Sequence, residues 1–149
     1  MPLINPSGTH LTGRCQCGKV KYESTSAPQS LNVCYCNECQ RQSGSAFGLS
    51  LVVPSSGFKL AEESRDFVTR FERKADSGRM RGGMFCSACG VRLWHFNPEN
   101  SEWITIKAGT LDQKVDFSAA QHIWCKSKLP GIVIPDSAEV YDEEPTGPV

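Results

Sequence analysis

Residues 13–20 read GRCQCGKV, and residues 85–93 read FCSACGVRL. Both segments carry two closely spaced cysteines, and a glycine follows the second cysteine in each, Gly18 in one and Gly90 in the other. Glycine at this position can adopt a positive φ, which lets backbone amides turn toward the sulfur atoms of a metal-binding turn. The repeated pattern therefore predicts two similar turns that bind one metal ion between them.

The four cysteines of these segments, called here the outer cysteines, form a complete ligand set for zinc. Thiolates one or two residues apart can enter one coordination sphere, and two such pairs complete a tetrahedron with bonds of about 2.3 Å. We expect Cys15 and Cys17 to project from one face of a strand, and Cys86 and Cys89 to form a tighter turn. The predicted site is closed, and closed sites contribute directly to folding.

A third cluster has only three cysteines, Cys34, Cys36 and Cys39, called here the trio. Since no histidine neighbours them, zinc bound to the trio would keep one coordination position open, which is the arrangement of a catalytic site. Three thiolates donate strongly to the metal, so a soft thiol suits the open position better than water does. The sequence thus predicts a second, open zinc site.

Other uses of these cysteines stay open. One metal could take the outer cysteines and leave the trio as reduced thiols, or the clusters could serve redox chemistry or an iron–sulfur centre. The eighth cysteine, Cys125, is interpreted as a half-buried strand thiol. Its alternative role is to complete the coordination of the trio, which would close that site.

The composition indicates one soluble globular domain of 149 residues, with 39% hydrophobic and 21% charged residues. Sixteen basic residues balance sixteen acidic ones, so no global field attracts nucleic acid or an anionic membrane. Residues 1–6, MPLINP, lack the pattern of a secretory signal, and no apolar window approaches about 18 residues. We expect a cytoplasmic protein, in which free thiols favour metal binding over disulfides.

Short runs of alternating or β-branched residues, separated by glycine, proline and serine, predict a mainly β fold. In the run 103–107, Ile104 and Ile106 share one face, and in the run 67–71, Phe67 and Phe71 do so. One helical turn is expected over residues 38–42. The other predicted strands are 20–23, 31–34, 49–53, 84–85, 91–94 and 121–124.

Three segments together resemble the glutathione-dependent formaldehyde-activating enzyme family, which includes the centromere protein V type domain. They are GRCQCGKVKY at 13–22, CYCNECQRQSGS at 34–45 and FCSACGVRL at 85–93. The likeness spans residues 11–142, and QHIWCKSKLP at 121–130 is similar to the closing motif of the family.

The resemblance implies a single-domain β-tent fold of several antiparallel sheets held by a structural zinc. It places an N-terminal extension at 1–10, the domain at 11–142 and a flexible acidic tail at 143–149. In the family pattern, Cys15, Cys17, Cys86 and Cys89 match the structural zinc ligands, and Cys34, Cys36 and Cys39 match a second, exchangeable zinc. The implied activity is that of a carbon–sulfur lyase acting on glutathione adducts.

Residues after the trio are candidates for the substrate pocket. Arg41, Ser43 and Gly44 are expected to contact glutathione, with Arg41 pairing with a carboxylate, and Ser45 and Phe47 are expected to line the same pocket. Tyr35 stands where many family members carry histidine. Because it alters a hydrogen bond beside the metal, we expect a substrate other than formaldehyde.

The histidines are candidate proton shuttles, and the tryptophans are expected in the core. They are His10, His95, His122, Trp94, Trp103 and Trp124. The enzyme hypothesis predicts a small-molecule thiol adduct as partner, with no nucleic acid or membrane, and it is compatible with a homodimer. The alternative is a zinc-stabilised protein-interaction module without catalysis.

Overall fold

The computed structural model describes residues 3–4 and 10–146, and this part of the chain is mainly β. One α-helix, α1, spans Asn37–Ser43. The strands are β1 Leu3–Ile4, β2 Leu11–Arg14, β3 Lys21–Ser24, β4 Ser30–Cys34, β5 Gly48–Pro54, β6 Phe58–Leu60, β7 Val68–Lys74, β8 Met80–Cys86, β9 Arg92–Asn97, β10 Asn100–Lys107, β11 Lys114–Val115 and β12 Gln121–Ile123. Short 3-10 turns lie at Ser55–Gly57, Glu62–Phe67, Ala108–Thr110, Phe117–Ala119 and Cys125–Ser127.

The strands form three sheets. The largest has seven strands in the order β12-β4-β5-β10-β9-β8-β7, and its pairs are antiparallel except for the parallel pair β12–β4. Strands β2, β3 and β6 form a smaller antiparallel sheet, and β1 pairs with β11 in parallel. The prediction of a mainly β fold is confirmed.

One face of the large sheet is apolar, and we call it the core face. Register pairs Leu31 with Leu51, Leu51 with Ile106, and Ile106 with Trp94 across four strands. All four side chains are buried. As predicted, Ile104 lies on this face with Ile106, because side chains two apart in a strand point the same way.

The core face packs against the three-stranded sheet through aromatic contacts. The ring of Trp94 lies 4.8 Å from that of Phe58 and 6.1 Å from that of Tyr22, measured between centroids. The rings of Tyr22 and Phe58 stack at 5.3 Å. Burying these large side chains removes apolar area from water and fixes the position of the small sheet.

The opposite face, the cleft face, is polar. Register aligns Asn32 with Ser50 and Ser50 with Lys107, and on the neighbouring strand pair it aligns Thr105 with His95. Asn32, Ser50 and Thr105 are nonetheless buried, with 1%, 3% and 3% exposure. Polar residues that are buried on a sheet face need partners, so this face is the natural place to look for a site.

The predicted strands match observed strands to within a few residues at their ends, and two expectations about faces are wrong. Cys15 and Cys17 do not leave a strand, because β2 ends at Arg14 and the two cysteines lie in the turn that follows. Phe67 does not share a strand face with Phe71, because it ends a 3-10 turn before β7 begins. The expected helical turn at 38–42 is α1.

The acidic segment near the C-terminus contacts the domain over its described residues. The amide of Tyr141 donates to the carbonyl of His122, and the amide of Trp124 donates to that of Glu143, at 2.8 and 3.1 Å. Residues 147–149 of the expected tail, and residues 1–2 and 5–9 of the expected extension, lie outside the described part. The domain boundaries stay predictions.

Within the described residues, no helix combines the length and the apolar character that crossing a bilayer requires.

Candidate metal centres

The outer cysteines come together as the sequence predicts. The Sγ atoms of Cys15, Cys17, Cys86 and Cys89 all lie within 4.8 Å of one another. The Sγ atom of Cys17 is 3.5 Å from that of Cys15 and 3.8 Å from that of Cys86. Tetrahedral bonds of about 2.3 Å would separate sulfur atoms by about 3.8 Å, so this donor set fits zinc.

The two turns that carry the outer cysteines have the same backbone pattern. Gly18 and Gly90 have φ values of +79° and +78°, as the sequence predicts. The amide of Cys15 donates to the carbonyl of Val20, and the amide of Cys86 to that of Val91, both at 3.0 Å. The repeated sequence pattern of residues 13–20 and 85–93 therefore corresponds to a repeated structural unit.

Backbone amides in these turns favour the thiolate form of the sulfurs. The amide of Val20 donates to Sγ of Cys15 at 3.2 Å. Hydrogen bonds from the backbone of Val91 and of Cys17 lower the pKa of Cys89 to about 6. A thiolate is the form that binds a metal, so these hydrogen bonds prepare Cys15 and Cys89 for zinc. The pKa of Cys17 is instead raised to about 11, because a hydrogen bond from the backbone of Lys19 is outweighed by desolvation and by the neighbouring thiols.

The trio forms a second cluster, whose Sγ atoms also lie within 4.8 Å of one another. Cys34 ends β4, Cys36 is the N-cap of α1, and Cys39 lies in the first turn of that helix. Sγ of Cys36 accepts the backbone amide of Cys39 at 3.3 Å. Helix α1 therefore positions two of the three sulfurs, and the end of β4 positions the third.

The pKa values of the trio shift as expected for sulfurs that can bind a cation. Hydrogen bonds from the thiols of Cys34 and Cys39 lower the pKa of Cys36, and the same contact raises the pKa of Cys34. One thiolate is thus stabilised by two neighbouring thiols, and a divalent cation would replace their protons. The three sulfurs fit zinc in spacing and in chemistry.

No fourth cysteine, histidine or carboxylate of the described chain joins the trio. Cys125 is half-buried, and its thiol donates to the carbonyl of His122 at 3.4 Å. It therefore does not complete the ligand set in this structure. Zinc bound to the trio would keep an open position.

The trio opens onto a cleft that lies over the cleft face of the large sheet. The cleft is the space lined by the trio and by Asn32, Glu38, Gln42, Ser50, Phe71, Arg73, Arg81, Arg92, His95, Trp124 and Glu144, with smaller contributions from their neighbours. Its lining is rich in cations, because three arginines of the large sheet face it.

The arginines differ in their partners. Arg73 lies 3.6 Å from Glu38, and Arg81 lies 3.7 Å from Glu144. Arg92 has no carboxylate within 4.0 Å among residues 3–4 and 10–146, and its guanidinium lies 6.0 Å from the Phe71 ring centroid. Arg92 is thus the cleft arginine without a carboxylate partner in the described chain, while the sulfur of Cys39 favours its charged form.

Lys107 lies beside Ser50 on the cleft face, although the lining of the cleft does not include it. Its Nζ donates to Oγ of Ser50 at 3.3 Å. Burial lowers its pKa, while the sulfurs of Cys39 and Cys34 favour its charged form. Lys107 therefore interacts favourably with the sulfurs of the trio through its charged form.

Of the candidate proton shuttles, His95 lines the cleft. Burial, and then the charge of Lys107 and of nearby arginines, holds its pKa well below the usual range, so it is neutral at neutral pH. His122 is buried behind the trio and pairs with the Tyr35 hydroxyl at 2.8 Å. His10 is exposed and pairs with Glu23 at 3.1 Å.

Tyr35, the residue that departs from the family pattern, faces away from the cleft. It is 2% exposed, packs edge-on against Phe47 and stacks on the His122 ring. The cleft lining does not include it. Its hydroxyl therefore pairs with His122 rather than with a sulfur of the trio.

The tryptophans divide between the core and the cleft. Trp94 is core, as predicted, and Trp103 is half-buried. Trp124 lines the cleft beside the trio with φ at +57°, an uncommon conformation for a residue with a side chain. Such strain often accompanies a functional site, and here the hydrogen bond from the Trp124 amide to the carbonyl of Glu143 helps to hold the conformation.

The expected glutathione contacts lie on or after α1. Arg41 is exposed and pairs with Glu38 at 2.7 Å. Ser43 donates to the carbonyls of Cys39 and Phe47, and Gly44 is the C-cap with φ at +61°. The cleft lining includes Gln42 but not Arg41, Ser43 or Gly44, and their glutathione role stays a prediction.

Sequence reasoning did not find the sheet residues of the cleft, chiefly Asn32, Ser50 and Arg92. A signal existed for the first two, because each interrupts an apolar strand at a position that is buried. Arg92 gave no signal, since its place in the cleft depends on the register of β8 against β9.

These features define a small β protein with a closed four-thiol centre and an open three-thiol centre at a cleft. The sequence profile described as "Glutathione-dependent formaldehyde-activating enzyme" matches residues 10–127. The chain belongs to this family.

Among solved structures, a crystal structure of a Rhodobacter sphaeroides protein is similar, with a TM-score of 0.52. The two sequences are 18% identical, and the match covers 87% of this chain and 97% of that chain, so this likeness supports the fold alone. No curated protein sequence matches the chain significantly.

Proposed function

We propose that the protein is a zinc-dependent carbon–sulfur lyase acting on glutathione adducts. It would resemble S-(hydroxymethyl)glutathione synthase, with an electrophile other than formaldehyde. The observation that carries the proposal is the trio, whose three sulfurs cluster at the wall of a cleft and have no fourth ligand among the described residues. The family membership agrees with this activity.

The two zinc ions would have different roles. The outer cysteines would hold a structural ion that joins the turn after β2 to the turn between β8 and β9. When bound at the trio, zinc would supply an open coordination position and would lower the pKa of a thiol placed there. The chain's own contribution is to hold Cys34, Cys36 and Cys39 in position and to shape the cleft around the reacting sulfur.

The cleft residues would bind and orient the adduct. Phe71 and Trp124 offer aromatic surface beside the sulfur, and the arginines offer donors for carboxylates. His95 is neutral, so its imidazole can donate or accept a hydrogen bond to the adduct without adding a charge. Each role depends on a side chain that lines the same cleft as the trio.

The extent of the cleft supports an electrophile larger than formaldehyde. The lining runs from the trio across the large sheet as far as Phe71 and Arg81 on β7 and β8. Glutathione itself would contact part of this surface with either electrophile, and a larger electrophile would gain further orientation from the rest.

Metal content and glutathione binding, measured together, test the proposal. Zinc-loaded protein should contain two ions per chain, a mild chelator should remove the one at the trio, and glutathione binding should disappear with it. Isothermal titration calorimetry before and after chelation, with zinc measured by mass spectrometry, gives both quantities. Glutathione binding that survives loss of the labile ion contradicts the proposal.

A protein-interaction module without catalysis is the competing function. It predicts that both ions resist the mild chelator and that glutathione does not bind, because a structural site has no open position. The balance of basic and acidic residues favours a small-molecule partner over nucleic acid.

A further inference from the structure

One edge of the large sheet has no neighbouring strand in the described chain. Strand β7 is the last strand of that sheet, it runs over seven residues, Val68–Lys74, and it pairs with β8 without a break in register. Residues 69–72 are exposed. An open edge of this length offers a row of backbone groups to another strand.

The hydrogen bonds beside β7 identify which backbone groups point outward. Phe67 and Ala75 flank β7, and both hydrogen-bond with the residues opposite them on the β8 side at 2.8 Å. In an antiparallel pair, residues that bond across the pair alternate with residues whose backbone groups point away. Counting from Phe67, every second residue bonds toward β8, so the backbone groups of Arg70 and Glu72 point to the open edge. Neither residue has another backbone partner in the described chain.

The outward groups at the two ends of β7 have partners within the chain. The amide of Val68 donates to the carbonyl of Arg65, and the carbonyl of Lys74 accepts from the side chain of Arg73 at 3.4 Å. A strand that adds to this edge would therefore bond chiefly to the middle of β7.

The order of side chains on β7 suits pairing with a second copy of the same strand. Residues 68–74 read VTRFERK, so Arg70 and Glu72 lie symmetrically about Phe71. In an antiparallel pair centred on Phe71, Arg70 of each chain lies opposite Glu72 of the other chain, and the strands overlap over their whole length. These opposed residues are the ones whose backbone groups point outward, so they would exchange the hydrogen bonds that join the strands.

The neighbouring registers lack this charge complementarity. A pair centred on Arg70 places Arg70 opposite Arg70, and a pair centred on Glu72 places Glu72 opposite Glu72 and Arg70 opposite Lys74. Opposite charges directly across a strand pair stabilise it, and like charges destabilise it. Charges on an edge normally discourage pairing with other strands, but the order found in β7 admits a copy of itself.

Phe71 favours the same register. Its side chain is 51% exposed and lines the cleft. At the centre of the pair, the two Phe71 residues would form a non-hydrogen-bonded pair, in which facing side chains lie closest together. Contact between the two rings would remove apolar surface from water.

We propose that the protein is a homodimer in which two β7 strands pair antiparallel about Phe71, so that the large sheets of both subunits form one continuous sheet. The two-fold axis is perpendicular to this sheet, and both clefts therefore open on the same face. Because Phe71 lines the cleft, Phe71 of the partner subunit borders it as well. The inference goes beyond the proposed function and does not depend on it.

Two charge reversals and their mixture test the register. Arg70→Glu and Glu72→Arg each place like charges across the strand pair, so each variant should dimerise about tenfold more weakly than the wild type, or worse. When the two variants are mixed, the acidic strand of one faces the basic strand of the other, and the dimer should return. Sedimentation equilibrium on the zinc-loaded protein, with a reducing agent to prevent disulfides between chains, measures each association.

The mixture also excludes an indirect effect. Arg70 and Glu72 form an ion pair within one strand, and neither variant chain in the mixture contains that pair. Recovery of the dimer would therefore come from charges facing each other across the two chains. Glu102→Arg is the matched control, because Glu102 is exposed on β10, an interior strand of the sheet, and the variant should dimerise as the wild type does. Circular dichroism confirms that each variant is folded.

Three results would overturn the proposal. A wild-type protein that stays monomeric from micromolar to millimolar concentration leaves β7 without a second copy as its partner. A dimer that survives both reversals is held by another surface. Variants that dissociate but do not associate when mixed show that the assigned register is wrong.

Discussion

At the scale of single residues, the open centre depends on the space that Gly48 leaves. Gly48 pairs with Cys34 across the sheet, and a Cβ atom there would lie 3.2 Å from Cβ and 3.4 Å from Sγ of Cys39. The strand that carries Gly48 therefore lies against the third sulfur of the trio. A side chain at this position would press on Cys39, a proposed metal ligand, rather than on an adaptable core residue.

Gly48→Ala should weaken zinc binding at the trio by about tenfold or more, since displacing a ligand's support costs metal affinity on this scale. Zinc affinity is measured by competition with a chromogenic chelator. Gly109→Ala is the matched control, because a Cβ atom at Gly109 meets nothing within 4 Å. Equal zinc affinity in the two variants would show that Cys39 has freedom to move.

At the scale of elements, the two turns that carry the outer cysteines act as one repeated unit. In each turn, a glycine with positive φ follows the second cysteine. The backbone amide of the first cysteine donates a hydrogen bond to the carbonyl of a valine. This conformation is costly for any residue with a Cβ atom and least costly for asparagine. The positive φ of these turns therefore explains why both positions are glycine, and no steric contact with a neighbouring group is needed to explain it.

Gly90→Ala should destabilise the protein by about 1–2 kcal/mol, and Gly90→Asn should cost less, because a Cβ atom at Gly90 meets nothing within 4 Å and only the backbone is strained. Denaturant unfolding of the zinc-loaded protein measures both values. A loss from asparagine as large as that from alanine would mean that packing, rather than φ, requires glycine there.

The sequence predicted which segments form strands and turns better than it predicted which side of a strand each residue faces. Alternation of apolar residues was enough to find β4, β5 and β10, and the glycines were enough to find the turns. It misplaced Cys15 and Cys17 on a strand, because a spacing of two residues suits a turn as well as a strand. Phe71 was expected to share a strand face with Phe67, but Phe67 precedes the strand, and Phe71 is 51% exposed at the cleft on the edge strand β7.

The cleft itself was beyond sequence reasoning. The segments that follow the trio were the natural candidates for contacts, because they are adjacent in the chain. The structure instead brings Arg92 and His95 of β9 toward the trio through the strand order of the large sheet. Such proximity depends on register across several strands, which local patterns do not encode.

At the scale of the whole molecule, the two centres differ in what they connect. The outer cysteines join turns from opposite halves of the chain, so zinc there would link the small sheet to the end of the large sheet. The trio draws its sulfurs from one continuous segment, Cys34 to Cys39, and links only β4 to α1. The first centre should therefore control folding, and the second should control chemistry.

Cys86→Ser should unfold the chain, whereas Cys36→Ser should keep the fold and lose turnover together with the labile zinc. Cys86 is buried at the end of β8, and Cys36 is at the rim of the cleft. Circular dichroism and zinc content measure these effects. Comparable unfolding by the two substitutions would make the trio a second structural anchor.

The most direct test of an open centre beside a closed one is a crystal structure of the zinc-loaded protein with glutathione. The account predicts a zinc ion enclosed by the four outer cysteines and a second ion on the trio, with the glutathione sulfur as its fourth ligand. A protein side chain in that fourth position, Cys125 or any other, would contradict it.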